Sequence, residues 1–280
     1  MTDYSKLNEI GVWLDDAFSK VNSDYIALLK KANINSVSIM ANKSNTKPED
    51  KLWELRYKKE DFQKLSKTLN DAGIKVGLTC WPQPSKTQID LMMKDMIILL
   101  DMTGASSFMV DTESNWHQKF LKPEEFSTMQ LAADYLVEKM KDAGVKHKVK
   151  LELTTFPYHV ENSKDALVAP HMDVLFPQAY SVANRDNGEI TWDDKFGPGN
   201  MQKLSIERAK KVKNFKGEYA IGLAAYDQIF KGGHTGQESI KKALDKSIDL
   251  GATKVFFWSS KWIVGSSKTN YGIDFLSKLK

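Results

Sequence analysis

The chain alternates short apolar runs with longer stretches in which apolar residues recur every three or four positions. The apolar runs are Ile10–Asp15, Ser36–Ala41, Lys75–Cys80, Ser107–Asp111, Val149–Thr154, Asp173–Gln178, Tyr219–Ala224 and Lys254–Trp258. Runs of this length, bounded by polar or glycine-containing segments, read as buried strands. Between and after them the helical period predicts helices near Asp24–Lys31, Lys59–Asp71, Gln88–Met102, Pro123–Asp142, Met201–Val212, Gln237–Leu250 and Asp274–Lys280, with a short piece over Lys164–Val168. Gly73, Gly104, Gly144 and Gly251 follow four of these stretches and read as helix stops.

Strand–helix alternation implies parallel strands, because a parallel return needs a crossover and the crossover is usually a helix. Eight such units in 280 residues predict an α/β fold, a (β/α)8 TIM barrel forming one domain over residues 1–280. The alternative, an open doubly wound sheet, usually carries a glycine-rich turn after its first strand. In this chain that turn reads Trp-Leu-Asp-Asp-Ala-Phe from Trp13 to Phe18, without glycine. The segments Asn184–Gly199 and Gly232–Gly236 read as loops after strands, not as linkers.

Composition narrows the function classes. The chain is 41% hydrophobic and 27% charged, which suits a packed core. A net charge of +4 is too small to argue for nucleic acid and compatible with an anionic surface such as a cell wall. The single cysteine, Cys80, excludes an internal disulfide and a zinc–cysteine cluster. No apolar run approaches the roughly 20 residues that span a membrane, so no membrane partner is expected. Residues 1–10 lack the charged-then-apolar pattern of a secretion signal. Any action outside a cell is then expected to depend on another route, as for a phage-type lysin. A monomer is expected.

In a barrel of this kind the active site lies at the C-terminal ends of the strands. The strand ends of this chain carry Asp15–Asp16, Asn42, Trp81, Asp111–Glu113, Tyr158–His159, Gln178–Tyr180, Asp227 and Trp258–Lys261. Carboxylates, amides and aromatics together suit a sugar, whose ring faces stack on aromatics while its hydroxyls need hydrogen-bond partners. A single aromatic is more often core; Trp81, Trp116 and Trp258 at three strand ends weaken that reading. The loops after the last two strands lack the glycines of a phosphate site. Of five histidines only His159 closely follows a strand, so no metal and no cofactor are expected. A magnesium site of Asp15, Asp16, Asp111 and Glu113 is the alternative. There is no Gly-x-Ser-x-Gly, and Cys80 has no evident histidine partner.

The strongest local signal is Phe108-Met-Val-Asp111-Thr-Glu113, an apolar strand ending in two acids at i and i+2. Strand geometry places both on one face. Two neighbouring carboxylates do not both ionise readily, so one is expected to keep its proton, as a general acid requires. The plainer alternative is a solvated strand end.

On these residues the sequence resembles barrel glycosidases that cleave N-acetylated sugars. Lysozymes of glycoside hydrolase family 25 carry Asp-x-Glu at the end of strand four and an acid at the end of strand one, matched by Asp111, Glu113 and Asp15 or Asp16. The family 18 chitinases add a tyrosine after strand six and a tryptophan on strand eight, matched by Tyr180 and Trp258. Ser106 and Met109 stand where the first two aspartates of the family 18 motif would be, which favours the lysozyme-like reading. The resemblance implies Glu113 as general acid and Asp111 as the group orienting the substrate's 2-acetamido, whose oxygen attacks the anomeric carbon. Gln178 and Tyr180 would bind the acetamido group and Trp258 would lie under its methyl. Asp15, Trp81 and Asp227 are the further substrate-binding candidates, and Glu152 is a candidate supporting acid. A two-carboxylate mechanism pairing Glu113 with Asp15 or Asp227 stays open. The implied function is a glycosidase acting on polysaccharide, foremost a peptidoglycan muramidase of endolysin type. An endo-β-N-acetylglucosaminidase or chitinase-like hydrolase is the alternative, and an inactive glycan-binding barrel is the alternative of another class.

Overall fold

A computed structural model describes residues 2–42, 53–113, 116–157, 167–181, 183–186, 189–225, 236–264 and 271–279. Eleven strands are numbered in chain order. Two of them, β7 (Ala183–Asp186) and β8 (Glu189–Trp192), stand apart as a pair, and the other nine form one parallel sheet. The nine are β1 (Glu9–Leu14), β2 (Ser36–Met40), β3 (Lys75–Cys80), β4 (Ser107–Asp111), β5 (Lys150–Thr155), β6 (Val174–Pro177), β9 (Glu218–Tyr219), β10 (Ile221–Ala224) and β11 (Lys254–Trp258). β9 pairs with β6, and β10 pairs with β11. Only Ala220 separates β9 from β10, and its N–H donates to Leu175 O at 3.0 Å. The two are one stave, bridged again to β6 at Gln178 and Gly222. The eight staves therefore close into the expected barrel, and the open-sheet alternative falls away.

Helices α1 (Ser23–Lys31), α2 (Lys59–Asp71), α3 (Lys86–Thr103), α4 (Met129–His147), α5 (Asn200–Ala209), α6 (Gly236–Asp249), α7 (Ser260–Ile263) and α8 (Tyr271–Leu276) surround it. Alternate strand residues divide between two cores, because successive side chains leave a strand on opposite faces. Val12, Val37, Leu78, Val110, Leu153, Ile221 and Phe257 face outward into the cluster shared with the helices. Trp13, Met40, Met109, Val174, Phe176, Ala220 and Phe256 fill the barrel axis. Trp13, Phe176 and Phe256 meet edge to face with centroids 5.2–6.3 Å apart, a favoured aromatic geometry. Gly11 makes room for this layer: a Cβ there would lie 2.4 Å from the Phe256 ring.

Three expectations are corrected. Helix α4 begins at Met129, with the Thr128 hydroxyl accepting from Leu131 N, and not at Pro123. It runs through Gly144 to His147, where Lys148 takes the left-handed cap with φ 55°. Gly144 is a packing residue, since a Cβ there would come within 3.1 Å of Leu151. The segment Asn184–Gly199 is not simply a loop, because β7 and β8 pair antiparallel. The last helix, α8, ends at Leu276, before the expected Lys280, where the Asn33 side chain donates to the Leu276 and Leu279 carbonyls. Of the short piece Lys164–Val168, residues 164–166 lie outside the described set, as does Gly232 to residue 235. No described helix is long and apolar enough to cross a membrane.

The N-terminal end of the barrel is closed by charge. Lys254 Nζ, on a side chain 9% exposed, lies 3.6 Å from Glu9, 3.7 Å from Glu152 and 3.7 Å from Glu218. Glu152 faces the axis as its parity with Thr154 requires, but it belongs to this lower cluster rather than to the mouth. Burial pushes its carboxyl up to about 7, against the opposing pull of Lys254. A folded value above the unfolded one means that the native state holds the proton longer. Stability should therefore fall as pH rises from about 4.5 to about 7. Glu152→Gln should flatten that fall by on the order of 1–3 kcal/mol between pH 5 and pH 8, as measured by chemical denaturation. An unchanged pH dependence would contradict the assignment.

Candidate active site

The mouth is built from residues at and just past the strand ends. Asp111 closes β4 at 4% exposed. A carboxylate this buried must be hydrogen-bonded. Trp81 Nε1, one residue past β3, donates to its Oδ2 at 2.9 Å. Gln178 Nε2, one residue past β6, donates to its Oδ1 at 3.3 Å. Trp81 is held in turn by Asn42, whose side chain accepts from Trp81 N at 3.0 Å and donates to Trp81 O at 3.2 Å. A chain of hydrogen bonds thus runs around the mouth from the end of β2 to the end of β6. Gln178 Oε1 and Thr154 Oγ1, both buried, have no hydrogen-bond partner among the described residues. In register, Thr154 stands beside Asp111.

The ladder continues one residue beyond β4, where Thr112 N donates to Thr154 O at 3.2 Å. Glu113 comes next, half-buried, and its carbonyl accepts from Trp116 N at 3.1 Å. Asp111 and Glu113 are thus at the C-terminal end of the same stave. Trp81 and Trp258 both pack on the axial cluster, with Trp258 centred 6.3 Å from Trp13. Tyr180 lies two residues past Gln178, half-buried. The backbone between them is fixed by Ala179, whose N donates to Gly222 O while its O accepts from Gln202 Nε2. Asp111, Trp81 and Gln178 are brought into direct contact, while Glu113, Tyr180 and Trp258 stand on the same rim. Asp227, Tyr158 and His159 lie outside the described residues.

Asp15 sits apart from that network. Its carboxylate accepts from Lys261 Nζ at 2.5 Å and from Ser259 Oγ at 3.5 Å. Arg56 reaches its backbone carbonyl at 3.1 Å. Asp16 is buried against Tyr25 OH at 2.8 Å and Ser260 Oγ at 3.3 Å, so it ties β1 to α1 and α7. Asp15, Asp16 and Asp111, three of the four acids of the magnesium alternative, therefore have separate partners. Among the described residues no three His, Cys, Asp or Glu side chains cluster to hold a metal ion. Trp116 is 2% exposed and belongs to the outer core, not the mouth.

Sequence reasoning named Asn42 and Lys261 only as strand-end residues and missed their roles. The signal for Asn42 was positional, as adjacent parallel strands place the residues just past them side by side. Nothing local marks a lysine in α7 as the partner of Asp15.

No family model matches this sequence, and no curated protein sequence matches it. Solved structures match the fold. A chitinase from Rhizomucor miehei superposes with a TM-score of 0.64 at 10% identity, covering 98% of this chain and 100% of its own. The Bacillus cereus spore cortex-lytic enzyme SleL gives 0.60 at 10%, covering 97% and 74%. A tamarind chitinase-like lectin gives 0.59 at 14%, covering 97% and 99%. At these identities the likeness defines the fold, a TIM barrel of the kind on which glycoside hydrolases are built.

Cys80 faces the outer core, its thiol 3.4 Å from Met92 Sδ. Burial, reinforced by the nearby Asp111 charge, pushes that thiol well up. The folded protein should therefore resist thiol reagents at pH 8 and react stoichiometrically once unfolded. Rapid labelling of the native state would contradict this placement.

Proposed function

We propose that the protein is a glycoside hydrolase that cuts polysaccharide beside an N-acetylated sugar, with peptidoglycan as substrate and muramidase as specificity. The observation that carries the reading is Asp111, a buried carboxylate fixed at the barrel mouth two residues before Glu113. A carboxylate with a set orientation suits the N–H of a 2-acetamido group. Glu113 gives its proton to the leaving glycosidic oxygen as the C1–O bond breaks. The acetamido oxygen forms the new bond to C1, and Asp111 balances the positive charge on the resulting ring. Water then attacks C1, Glu113 takes its proton, and the acetamide is restored. Tyr180 donates to the acetamido oxygen and Trp258 lies beneath the methyl. Asp15 and Asp227 contact neighbouring sugar, and Trp81 borders the same subsite beside Asp111. The protein acts on glycan as a monomer, and no metal or cofactor enters the chemistry.

Solved barrels named as a chitinase and a cortex-lytic enzyme support the class. The second reading, an endo-β-N-acetylglucosaminidase or chitinase-like hydrolase, is favoured by Gln178 and Tyr180 after β6 and Trp258 on β11. The lectin on the same fold makes an inactive glycan-binding barrel the third, and the presence of both Asp111 and Glu113 speaks against it. A turbidity assay on purified walls, followed by borohydride reduction of the products, separates the three. Reduced muramic acid supports the muramidase, reduced glucosamine supports the glucosaminidase, and binding without clearing supports the lectin.

Glu113→Gln preserves shape but cannot donate the proton. It should lower clearing by about 10²- to 10⁴-fold with an unchanged unfolding midpoint. Asp111→Asn should cost a similar or smaller factor. Prolonged dialysis against a chelator should leave the rate unchanged; loss that magnesium restores would overturn the metal-free mechanism.

A further inference from the structure

Trp81 can serve the mouth in two ways, as a platform for a sugar ring or as a fixed donor to Asp111. The donor role has the firmer geometry. The Asn42 side chain pinches both backbone polar groups of Trp81, at 3.0 and 3.2 Å. Asn42 is 7% exposed and is itself anchored by a bridge to Leu55. With its backbone pinned at both groups and its ring packed against the axial cluster, the indole is placed so that its Nε1 reaches Asp111 Oδ2 at 2.9 Å. Gln178 Nε2 takes the other oxygen. Two donors on two different oxygens define the plane of the carboxylate and not only its position. A carboxylate oxygen accepts from more than one donor, so a ligand N–H can join these two. Beneath Asp111 on the same face of β4 is Met109, buried in the axial cluster, where it accepts from Trp13 Nε1 at 3.4 Å. That position holds no acid, and the two donors from Trp81 and Gln178 are both neutral N–H groups.

We infer that Asn42 and Trp81 are positioning residues for the reaction. Asn42 sets Trp81, and Trp81 sets the rotation of the Asp111 carboxylate that receives the acetamido N–H. The inference rests on the glycosidase reading and deepens it.

A double-mutant cycle of Trp81→Phe and Asp111→Asn tests it, because such a cycle isolates the term the two residues share. Phenylalanine keeps a ring for stacking and loses only the donor. A charge-assisted hydrogen bond of this kind is consistent with a loss of about 10- to 100-fold in kcat, with KM within about threefold. In the Asp111→Asn background the same substitution should cost less than about threefold. Asn42→Ala should reproduce part of the kcat loss in the unmodified background alone. Equal losses in both backgrounds, or a loss confined to KM, would make Trp81 a sugar platform and overturn the inference. The indole N–H resonance of Trp81, assigned by its disappearance in Trp81→Phe, supplies a readout free of turnover. It should move on Asp111→Asn, and an unmoved signal counts against the bond. Should the unmodified protein cleave no glycan, the hydrolase reading falls. The same cycle, read from calorimetric binding of N-acetylglucosamine oligomers, then decides the positioning claim by the same criterion.

Discussion

A carboxylate leaves water only where donors replace the water, and at the mouth of this barrel that requirement falls on Asp111. The residue is only 4% exposed and takes its donors from two other staves, through Trp81 and Gln178. Both donors sit one residue beyond a strand, so their reach depends on the barrel being closed at the correct register. The contact between β6 and β10 at Gln178 and Gly222 supplies that closure, directly beneath the amide that holds Asp111. Fold and site are therefore one arrangement: a slip in the last staves would withdraw a donor from a buried charge, at a cost of several kcal/mol.

The barrel axis carries polarity at both ends and a dry layer between. Trp13, Phe176 and Phe256 fill the middle. Below them Lys254 gathers Glu9, Glu152 and Glu218 into a plug; above them lie Asp111, Trp81 and Trp258. The layer of rings separates the two groups of acids, one at the N-terminal and one at the C-terminal end of the staves. Such a division is common in this fold, where the C-terminal face carries function and the N-terminal face carries stability.

Much of this was legible in the chain. The strands of a closed parallel barrel are buried on both faces, and continuous apolar runs marked all eight staves within one or two residues. Asp111 was visible because an acid at the end of such a run has no place in the core unless it is partnered. Glu152 shows the limit. Alternation gave its face correctly, but face does not give height, and a residue in the third position of β5 belongs to the lower end. Gly144 shows another, since a glycine after an amphipathic stretch reads as a stop, whereas in the fold it admits Leu151 against a continuing helix. The strand pair of β7 and β8 lacked an apolar alternation strong enough to stand out from loop. The pairings Trp81–Asp111 and Asp15–Lys261 span 30 and 246 residues, and only the closed barrel brings them together.

In the proposed mechanism a fixed Asp111 orients an acetamido group which itself attacks the sugar. The most direct measurement is the cleavage rate on glycans whose N-acetyl groups carry zero, one, two or three fluorines. Fluorine withdraws electron density from the carbonyl oxygen while changing its size little. If that oxygen is the nucleophile, kcat should fall steeply and progressively along the series. A rate that stays level across the series would show that the amide does not take part, and the role assigned to Asp111 would be wrong.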